Sequence, residues 1–166
     1  MENLSPVGWA IRPLRKYADF SGRAPRAEYW WYVLAVSVAG FVIGLVDKAI
    51  SPPVVGLYGP LSFVWTLGLI VPGLAVVVRR LHDIGKSGWW VLVKAGGYVF
   101  VIISFASPRP AAMFPMVPRV VLIVGGLAVV LGAIILFFFM ITEGDGGPNR
   151  YGPDPYGHGS LEEVFA

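Results

Sequence analysis

A concentrated polar motif, R-R-L-H-D-I-G-K-S-G-W-W at residues 79–90, interrupts an otherwise apolar sequence. Its two arginines have the guanidinium geometry that binds phosphate in a bidentate way. The imidazole of His82 titrates near neutral pH, which suits it to proton transfer. His82 and Asp83 are neighbours in sequence, so on a helix their side chains point about 100° apart and each needs a partner from another segment. The motif therefore predicts either an anion site or a polar cluster that other segments complete.

Catalysis and metal binding are alternatives that the rest of the sequence does not favour. General acid–base catalysis by His82 would need a serine motif, a phosphate loop or paired catalytic carboxylates beside it, and the sequence shows none. The chain has no cysteine, and its only other histidine is His158, which leaves too few ligands for a transition-metal site. We therefore predict no enzyme activity, no metal and no cofactor.

The composition indicates a membrane protein. Of the 166 residues, 56% are hydrophobic and only 14% are charged, whereas soluble domains carry about 25% charged residues. Runs of roughly 18 or more apolar residues are candidates for membrane-spanning helices, and uncharged runs cover 29–46, 49–78, 95–108 and 120–142. The net charge of +3 is typical of the basic cytoplasmic segments of membrane proteins and does not point to nucleic acid.

The predicted fold is all-α and integral to the membrane, with a single membrane domain over residues 1–166. A polar N-terminal segment, 1–28, precedes the spans, and a tail rich in glycine and proline, 143–166, follows them. Four transmembrane helices are expected, at about 29–46, 57–78, 89–107 and 120–142.

Local signals refine these helices. Pro13 suits the first turn of a short interfacial helix before the first span, and Gly22 suits its end. Gly40 and Gly44 form a G-x-x-x-G pair, which lets the backbone of another helix approach closely. Pro72 predicts a kink in the second span.

The distribution of lysine and arginine predicts the orientation in the membrane. Nine of these residues lie in the N-terminal segment, the 79–88 loop and the tail, and three lie on the opposite side: Lys48, Arg109 and Arg119. Because cytoplasmic segments carry the excess of basic residues, both termini are predicted to be cytoplasmic. The remaining basic residue, Lys94, lies shallow enough in the third helix for its side chain to reach the interface.

This topology brings three polar motifs to one face of the membrane. They are F-S-G-R-A-P-R-A-E-Y-W-W at 20–31, R-R-L-H-D-I-G-K-S-G-W-W at 79–90 and G-P-N-R-Y-G-P-D-P at 147–155, which we name the first, central and third motifs. Their basic and acidic side chains are expected to meet there, with Arg23, Arg26, Arg79 and Arg80 facing Glu28, Asp83, Asp145 and Asp154.

In their order and spacing, the three motifs resemble those of the bacterial inner-membrane proteins grouped as domain-of-unknown-function family 805. The resemblance covers nearly the whole chain and implies a small multi-helix inner-membrane protein with a polar cytoplasmic face. It implies no particular reaction. The chain departs from the family pattern in the proline-rich segment 108–119, where a partner of its own could bind.

The predicted function is non-catalytic: binding of an anionic lipid headgroup or a partner protein at the cytoplasmic face, in a membrane complex or a homo-oligomer. The residues predicted to bind the anion are Arg23, Arg26, Arg79, Arg80 and Lys86. The polar residues predicted to orient them are Glu28, His82, Asp83, Asn149, Arg150 and Asp154.

Three other interpretations stay open at the level of sequence. Arg79 and Arg80 could serve only as anchors that hold the second helix at the interface. An ion or small-solute transporter is a second alternative, with Lys94 as its one candidate ionisable residue within a span. A membrane enzyme that uses His82 is the third.

Overall fold

The structure, a computed structural model, describes residues 4–50, 59–92 and 119–157. The helices in chain order are α1 (Pro6–Arg15), α2 (Arg26–Ile50), α3 (Pro60–Asp83) and α4 (Arg119–Ile141), with a 3₁₀ turn at Gly88–Trp90. Within these ranges the regular structure is helical apart from one isolated bridge in the tail. The helices α2, α3 and α4 are long and apolar enough to cross a membrane. This agrees with the all-α prediction and with three of the four predicted spans.

The predicted third span falls almost entirely outside the described residues. Only its start is seen, where Ser87 caps the 3₁₀ turn by accepting a hydrogen bond from the Trp89 amide at 3.4 Å. Lys94 and the proline-rich segment up to residue 118 also lie outside the described ranges. The fourth predicted span, 120–142, matches α4 to within one residue at each end.

Helix α1 begins earlier than predicted because the sequence supplies an N-cap at Ser5. The Ser5 hydroxyl accepts a hydrogen bond from the Gly8 amide at 3.2 Å. Pro6 occupies the first turn, where its missing N–H costs nothing. The prediction that this helix begins at Pro13 and ends at Gly22 is wrong. Pro13 lies inside α1, and Gly22 lies in the connection to α2 with a φ of 74°.

Helix α2 extends past its predicted end at residue 46, and this carries Asp47 into the protein interior. The Asp47 carboxylate accepts hydrogen bonds from the backbone amides of Leu61 (3.0 Å) and Ser62 (2.6 Å). These amides belong to the first turn of α3, where N–H groups have no acceptor within the helix. Asp47 therefore caps α3 from a neighbouring helix.

Helix α3 continues to Asp83, five residues beyond its predicted end at residue 78. The first five residues of the central motif, 79–83, are thus helical, and the prediction of a loop there is wrong. The prediction ended the helix at its first charge, but acidic partners inside the protein compensate both arginines of the motif. The chain reverses at Gly85, which has a φ of 66°. There the Lys86 amide donates to the Leu81 carbonyl at 2.9 Å and closes the helix end.

The N-terminus of α2 and the C-termini of α3 and α4 lie together at one end of the bundle, which we name the polar end. Helix α1 packs lengthwise on the first half of α2. Many large apolar side chains of the long helices are exposed, such as Phe41 (69%) and Phe138 (57%), as suits lipid-facing surfaces. Two small buried clusters join the helices: Val77, Leu81, Leu136 and Met140 in one, and Ala24, Tyr32 and Val76 in the other.

Close approach of α2 and α3 occurs at one residue of the predicted G-x-x-x-G pair. A side-chain carbon on Gly40 would lie 3.4 Å from the indole nitrogen of Trp65 on α3. A side-chain carbon on Gly44 would meet nothing within 4 Å. The predicted contact is therefore present at Gly40 only.

Candidate functional site

The three polar motifs meet at the polar end, as predicted. Of the six buried charged residues in the described ranges, five lie here, and the sixth is Asp47 at the opposite end. The five buried residues at the polar end are Arg23, Glu28, Arg79, Arg80 and Asp83. They form two groups of ion pairs, one around Glu28 and one around Asp83.

The first group joins the N-terminal segment to α2 and α3. The Glu28 carboxylate lies 2.7 Å from Arg79 Nη2 and 3.4 Å from Arg12 Nε. Arg79 also donates hydrogen bonds to the carbonyls of Lys16 and Asp19. One guanidinium therefore holds three segments together, which a surface anchor would not do.

Asp19 itself lies on the surface of this connection. The Ser21 hydroxyl and amide both donate hydrogen bonds to its carboxylate. These hydrogen bonds lower the pKa of Asp19 below its ordinary value, with a smaller contribution from the positive charge of Lys16. The Asp19 carboxylate is thus ionised at neutral pH, and its hydrogen bonds to Ser21 stabilise the connection between α1 and α2.

The second group joins α3 to the first and third motifs. The Asp83 carboxylate accepts a hydrogen bond from Arg23 Nε at 3.0 Å and another from Arg80 Nη1. Arg23 continues to the tail, where it donates to the carbonyls of Asp145 and Gly147. Two arginines from different segments thus share one buried carboxylate.

Two arginines satisfy the last carbonyls of α4. Arg80 donates to the carbonyls of Met140 and Thr142. Arg26 donates to the carbonyl of Ile141 at 3.4 Å and pairs with Glu143 at 2.8 Å. The carbonyls of a last turn lack helical donors and carry partial negative charge, so guanidinium groups from α2 and α3 complete this helix end.

The ring of His82 is held between the first and third motifs. Its Nδ1 lies 3.2 Å from the Gly22 carbonyl, and because a carbonyl can only accept, Nδ1 carries the proton. The His82 ring also stacks on the ring of Tyr151, with ring centroids 3.8 Å apart. Asn149 donates to the His82 carbonyl at 3.0 Å. The prediction that His82 and Asp83 find partners in other segments is therefore confirmed.

The tail up to residue 157 folds against the end of α3. The Asp145 amide donates to the Asp83 carbonyl at 2.8 Å, and Gly144 lies so close to the Asp83 carboxylate that no side chain fits there. Arg150, one of the predicted orienting residues, donates to the Gly85 carbonyl at 3.1 Å. The described part of the tail therefore forms a lid over the end of α3.

A cavity of about 390 Å³ lies between this lid and the helix ends. Its lining combines basic and acidic side chains: Arg23, Arg26, Asp83, Glu143, Asp145 and Asp154, with Tyr156 and two tail glycines. Among the described residues no group of three or more His, Cys, Asp or Glu side chains could hold a metal ion.

The structure divides the basic residues that were predicted to bind an anion. Arg79 and Arg80 are 0% exposed, and Arg23 is 7% exposed, so all three belong to the interior. Arg26 keeps 44% of its side chain exposed on the cavity wall. Lys86 is exposed and lies 5.9 Å from the Phe139 ring. Arg26 and Lys86 are therefore the two of the five whose side chains are exposed, whereas Arg23 lines the cavity with its guanidinium held by Asp83 and the Gly147 carbonyl.

A proline in α3, Pro72, lies beside a hydrogen bond between segments that the sequence analysis did not predict. Pro72 has no N–H, so the carbonyl of Gly68 lacks its helical donor. The Tyr17 hydroxyl donates to this carbonyl at 2.6 Å. The hydroxyl of Tyr32 is buried near Gly73 and has no hydrogen-bond partner among the described residues. Pro72 was the available signal, because it predicts an unsatisfied carbonyl four residues earlier.

Replacing Tyr17 with phenylalanine is expected to lower the free energy of unfolding by about 1 kcal/mol, because it removes the donor to the Gly68 carbonyl. Tyr32→Phe is the matched control and should change it little, because the hydroxyl that it removes has no partner. Unfolding of the detergent-solubilised protein in increasing SDS, followed by tryptophan fluorescence, measures both. A larger loss for Tyr32→Phe would contradict this assignment of roles.

The fold and the site define a helical membrane protein in which buried ion pairs join the ends of three long apolar helices. Residues 17–153 match the family described as protein of unknown function (DUF805), and the chain belongs to this family. It is 31% identical to the inner membrane protein YhaH of Escherichia coli strain K12 over 149 residues, which are 90% of this chain and 97% of that protein.

A second relative from the same strain is the inner membrane protein YhaI. It is 32% identical over 148 residues, which are 89% of this chain and 94% of that protein. No solved structure matches the chain. The family that the three motifs predicted is therefore confirmed, and the relatives agree with a membrane location.

Proposed function

We propose that this protein is a non-catalytic bacterial inner-membrane protein that binds anionic lipid headgroups at its polar end. The observation that carries the proposal is the charge of this end. Its described residues include nine basic and six acidic side chains, a net charge of +3. The basic ones are Arg12, Arg15, Lys16, Arg23, Arg26, Arg79, Arg80, Lys86 and Arg150, and the acidic ones are Asp19, Glu28, Asp83, Glu143, Asp145 and Asp154.

Most of the excess positive charge lies outside the buried cluster. Glu28 and Asp83 offset all but one of the charges of the three buried arginines, and the exposed basic residues at this end are Arg15, Arg26, Lys86 and Arg150. A basic side chain close to an anionic leaflet contributes about 1 kcal/mol of attraction. This favours a negatively charged headgroup over a neutral one.

The proposed topology has four crossings with both termini in the cytoplasm. Helix α3 ends at the polar end with Asp83, and α4 begins at the opposite end with Arg119. The 23 residues of α4 separate its two ends by about 34 Å at 1.5 Å per residue, and this separation supports the fourth crossing that the sequence predicts between these helices. The excess of lysine and arginine at the polar end supports a cytoplasmic location for it.

Two observations favour binding over catalysis and transport. The His82 ring is engaged by the Gly22 carbonyl and by Tyr151, which gives it a structural use. Between their charged ends the three described spans contain no Asp, Glu, Lys, Arg or His, over residues 29–46, 61–78 and 120–141. Transport of ions commonly uses ionisable groups at such depths.

Native mass spectrometry of protein purified in mild detergent tests the proposal. With phosphatidylglycerol added, the double variant Arg26→Gln/Lys86→Gln is expected to retain roughly 25-fold less of this lipid than the wild type, given two lost basic side chains at about fivefold each. Lys48→Gln, an exposed basic residue at the opposite end, is the matched control. A partner protein, the other ligand predicted from the sequence, would be recognised by its mass. Equal retention by wild type and double variant would exclude the lipid site at these residues.

A further inference from the structure

An apolar groove of about 360 Å³ runs between α1 and α2. Its walls are made only of apolar side chains: Pro6, Val7 and Ala10 from α1, and Trp31, Leu34, Ala35, Val38 and Ala39 from α2. The three alanines leave the space that a larger side chain would fill. Val7 at its edge is 65% exposed, so the groove is open along its side.

The groove lies at the depth of lipid acyl chains. Trp31 and Ala39 follow Arg26, the first residue of α2, by 5 and 13 residues, which places them about 8 and 20 Å from the polar end at 1.5 Å per residue. The hydrocarbon core of a bilayer is about 30 Å thick. The groove therefore spans the outer and middle part of one leaflet, where an extended alkyl chain is the matching occupant.

A basic side chain stands at the polar end of α1 without a compensating acid. Arg12 pairs with Glu28 and Lys16 pairs with Asp19. Arg15, between them in sequence, is exposed, and in the described part of the chain its side chain has no ion pair or hydrogen bond. Because α1 runs antiparallel to α2, its C-terminal residue Arg15 lies at the level of the headgroups when the groove lies among the acyl chains.

We propose that Arg15 and the groove together form one site for an anionic phospholipid. The lipid phosphate contacts Arg15, and one acyl chain occupies the space between α1 and α2. This inference rests on the proposed function and deepens it, because it locates a lipid that the net charge of the polar end only attracts. An acyl chain in this position also fills the groove between α1 and α2, which would otherwise leave apolar surface of both helices without packing partners.

Two variants separate the charge from the groove. Arg15→Gln is expected to reduce retention of phosphatidylglycerol about fivefold, the factor for one basic side chain near an anionic lipid, and to leave retention of phosphatidylcholine unchanged. Ala35→Phe fills the groove and is expected to reduce retention of both lipids. The matched controls are Lys48→Gln at the opposite end and Ala133→Phe, an exposed alanine on α4. Native mass spectrometry of each folded variant, checked by size-exclusion chromatography, gives the readout.

The outcomes distinguish this site from the proposed function itself. If Arg15→Gln and Ala35→Phe retain phosphatidylglycerol like the wild type while Arg26→Gln/Lys86→Gln does not, the groove site is overturned and lipid binding at the polar end stands. If Ala35→Phe lowers retention but Arg15→Gln does not, the assignment of an anionic headgroup is overturned. If the wild type shows no preference for phosphatidylglycerol over phosphatidylcholine, both proposals fail. Should Ala35→Phe not fold, the smaller replacement Ala35→Leu tests the groove in its place, because Ala35 lines it.

Discussion

Replacing Asp83 with asparagine is expected to destabilise the protein by about 3–5 kcal/mol, the cost of leaving buried charges without their partner. The Asp83 carboxylate is 2% exposed and is shared by Arg23 and Arg80. Asparagine has nearly the same shape but no charge, so both guanidinium groups would remain buried and uncompensated. Each of them also holds the tail, through the Asp145 and Thr142 carbonyls, so lid and helix end should loosen together.

Thermal and SDS-induced unfolding in detergent would measure this loss, with limited proteolysis reporting on the tail. The matched control is Asp19→Asn, which neutralises a carboxylate on the surface that lies 3.5 Å from Lys16. Exposed pairs of this kind contribute less than about 1 kcal/mol, so the control should unfold close to the wild type. If the two variants lost equal stability, the buried pair would not be holding the polar end together.

The sequence was sufficient to predict the three described membrane helices and the meeting of the three motifs. Both follow from signals that act over short distances, namely uncharged runs for the spans and the distribution of lysine and arginine for the face on which they end. The start of α1 was also readable, since Ser5 and Pro6 form a capping signal. It was missed because Pro13 offered a second, later start.

The burial of charge could not be read from the sequence. Arg79 was predicted to face the membrane surface, because an arginine after an apolar run normally ends a span. Its partner Glu28 lies 51 residues away, and no local pattern says that the two side chains meet inside the protein. Asp47 shows the same limit at the other end, where it caps a helix that begins 13 residues later in the chain. A prediction from hydropathy ends a membrane helix at its first charged residue. In the structure these charged side chains are paired with opposite charges or with backbone groups, and the helix continues past them.

The difference between buried and exposed charged residues changes how the central motif is interpreted. Three of its charged side chains, the two arginines and Asp83, are buried inside the protein. The residues left to meet a ligand are exposed ones: Arg26 and Lys86 within the motifs, and Arg15 before them. Loss of function after substitution of Arg79 or Arg80 would therefore report on folding, and only the exposed residues can report on binding.

Glu28→Gln is the second substitution expected to have a large effect, at about 3 kcal/mol of lost stability. The Glu28 side chain is 1% exposed and lies between Arg79 and Arg12. Glutamine keeps one oxygen as an acceptor but removes the negative charge, and Arg79 would stay buried at 0% exposure. Arg79 is poorly placed to tolerate this, because its Nε already lacks a hydrogen-bond partner in the described structure.

A double-mutant cycle would show whether the effect comes from the pair or from Glu28 alone. The double variant Glu28→Gln/Arg79→Gln removes both charges, so it should be more stable than the sum of the two single losses predicts, by roughly 1–3 kcal/mol. Glu143→Gln is the matched control, because Glu143 pairs with Arg26 at a side-chain exposure of 84% and its loss should change stability little. Additive losses in the cycle would mean that Arg79 is held by the carbonyls of Lys16 and Asp19 and not by Glu28. The N-terminal segment would then be attached to α3 directly, and α2 would be joined to α3 at the polar end by the packing of Tyr32 against Val76.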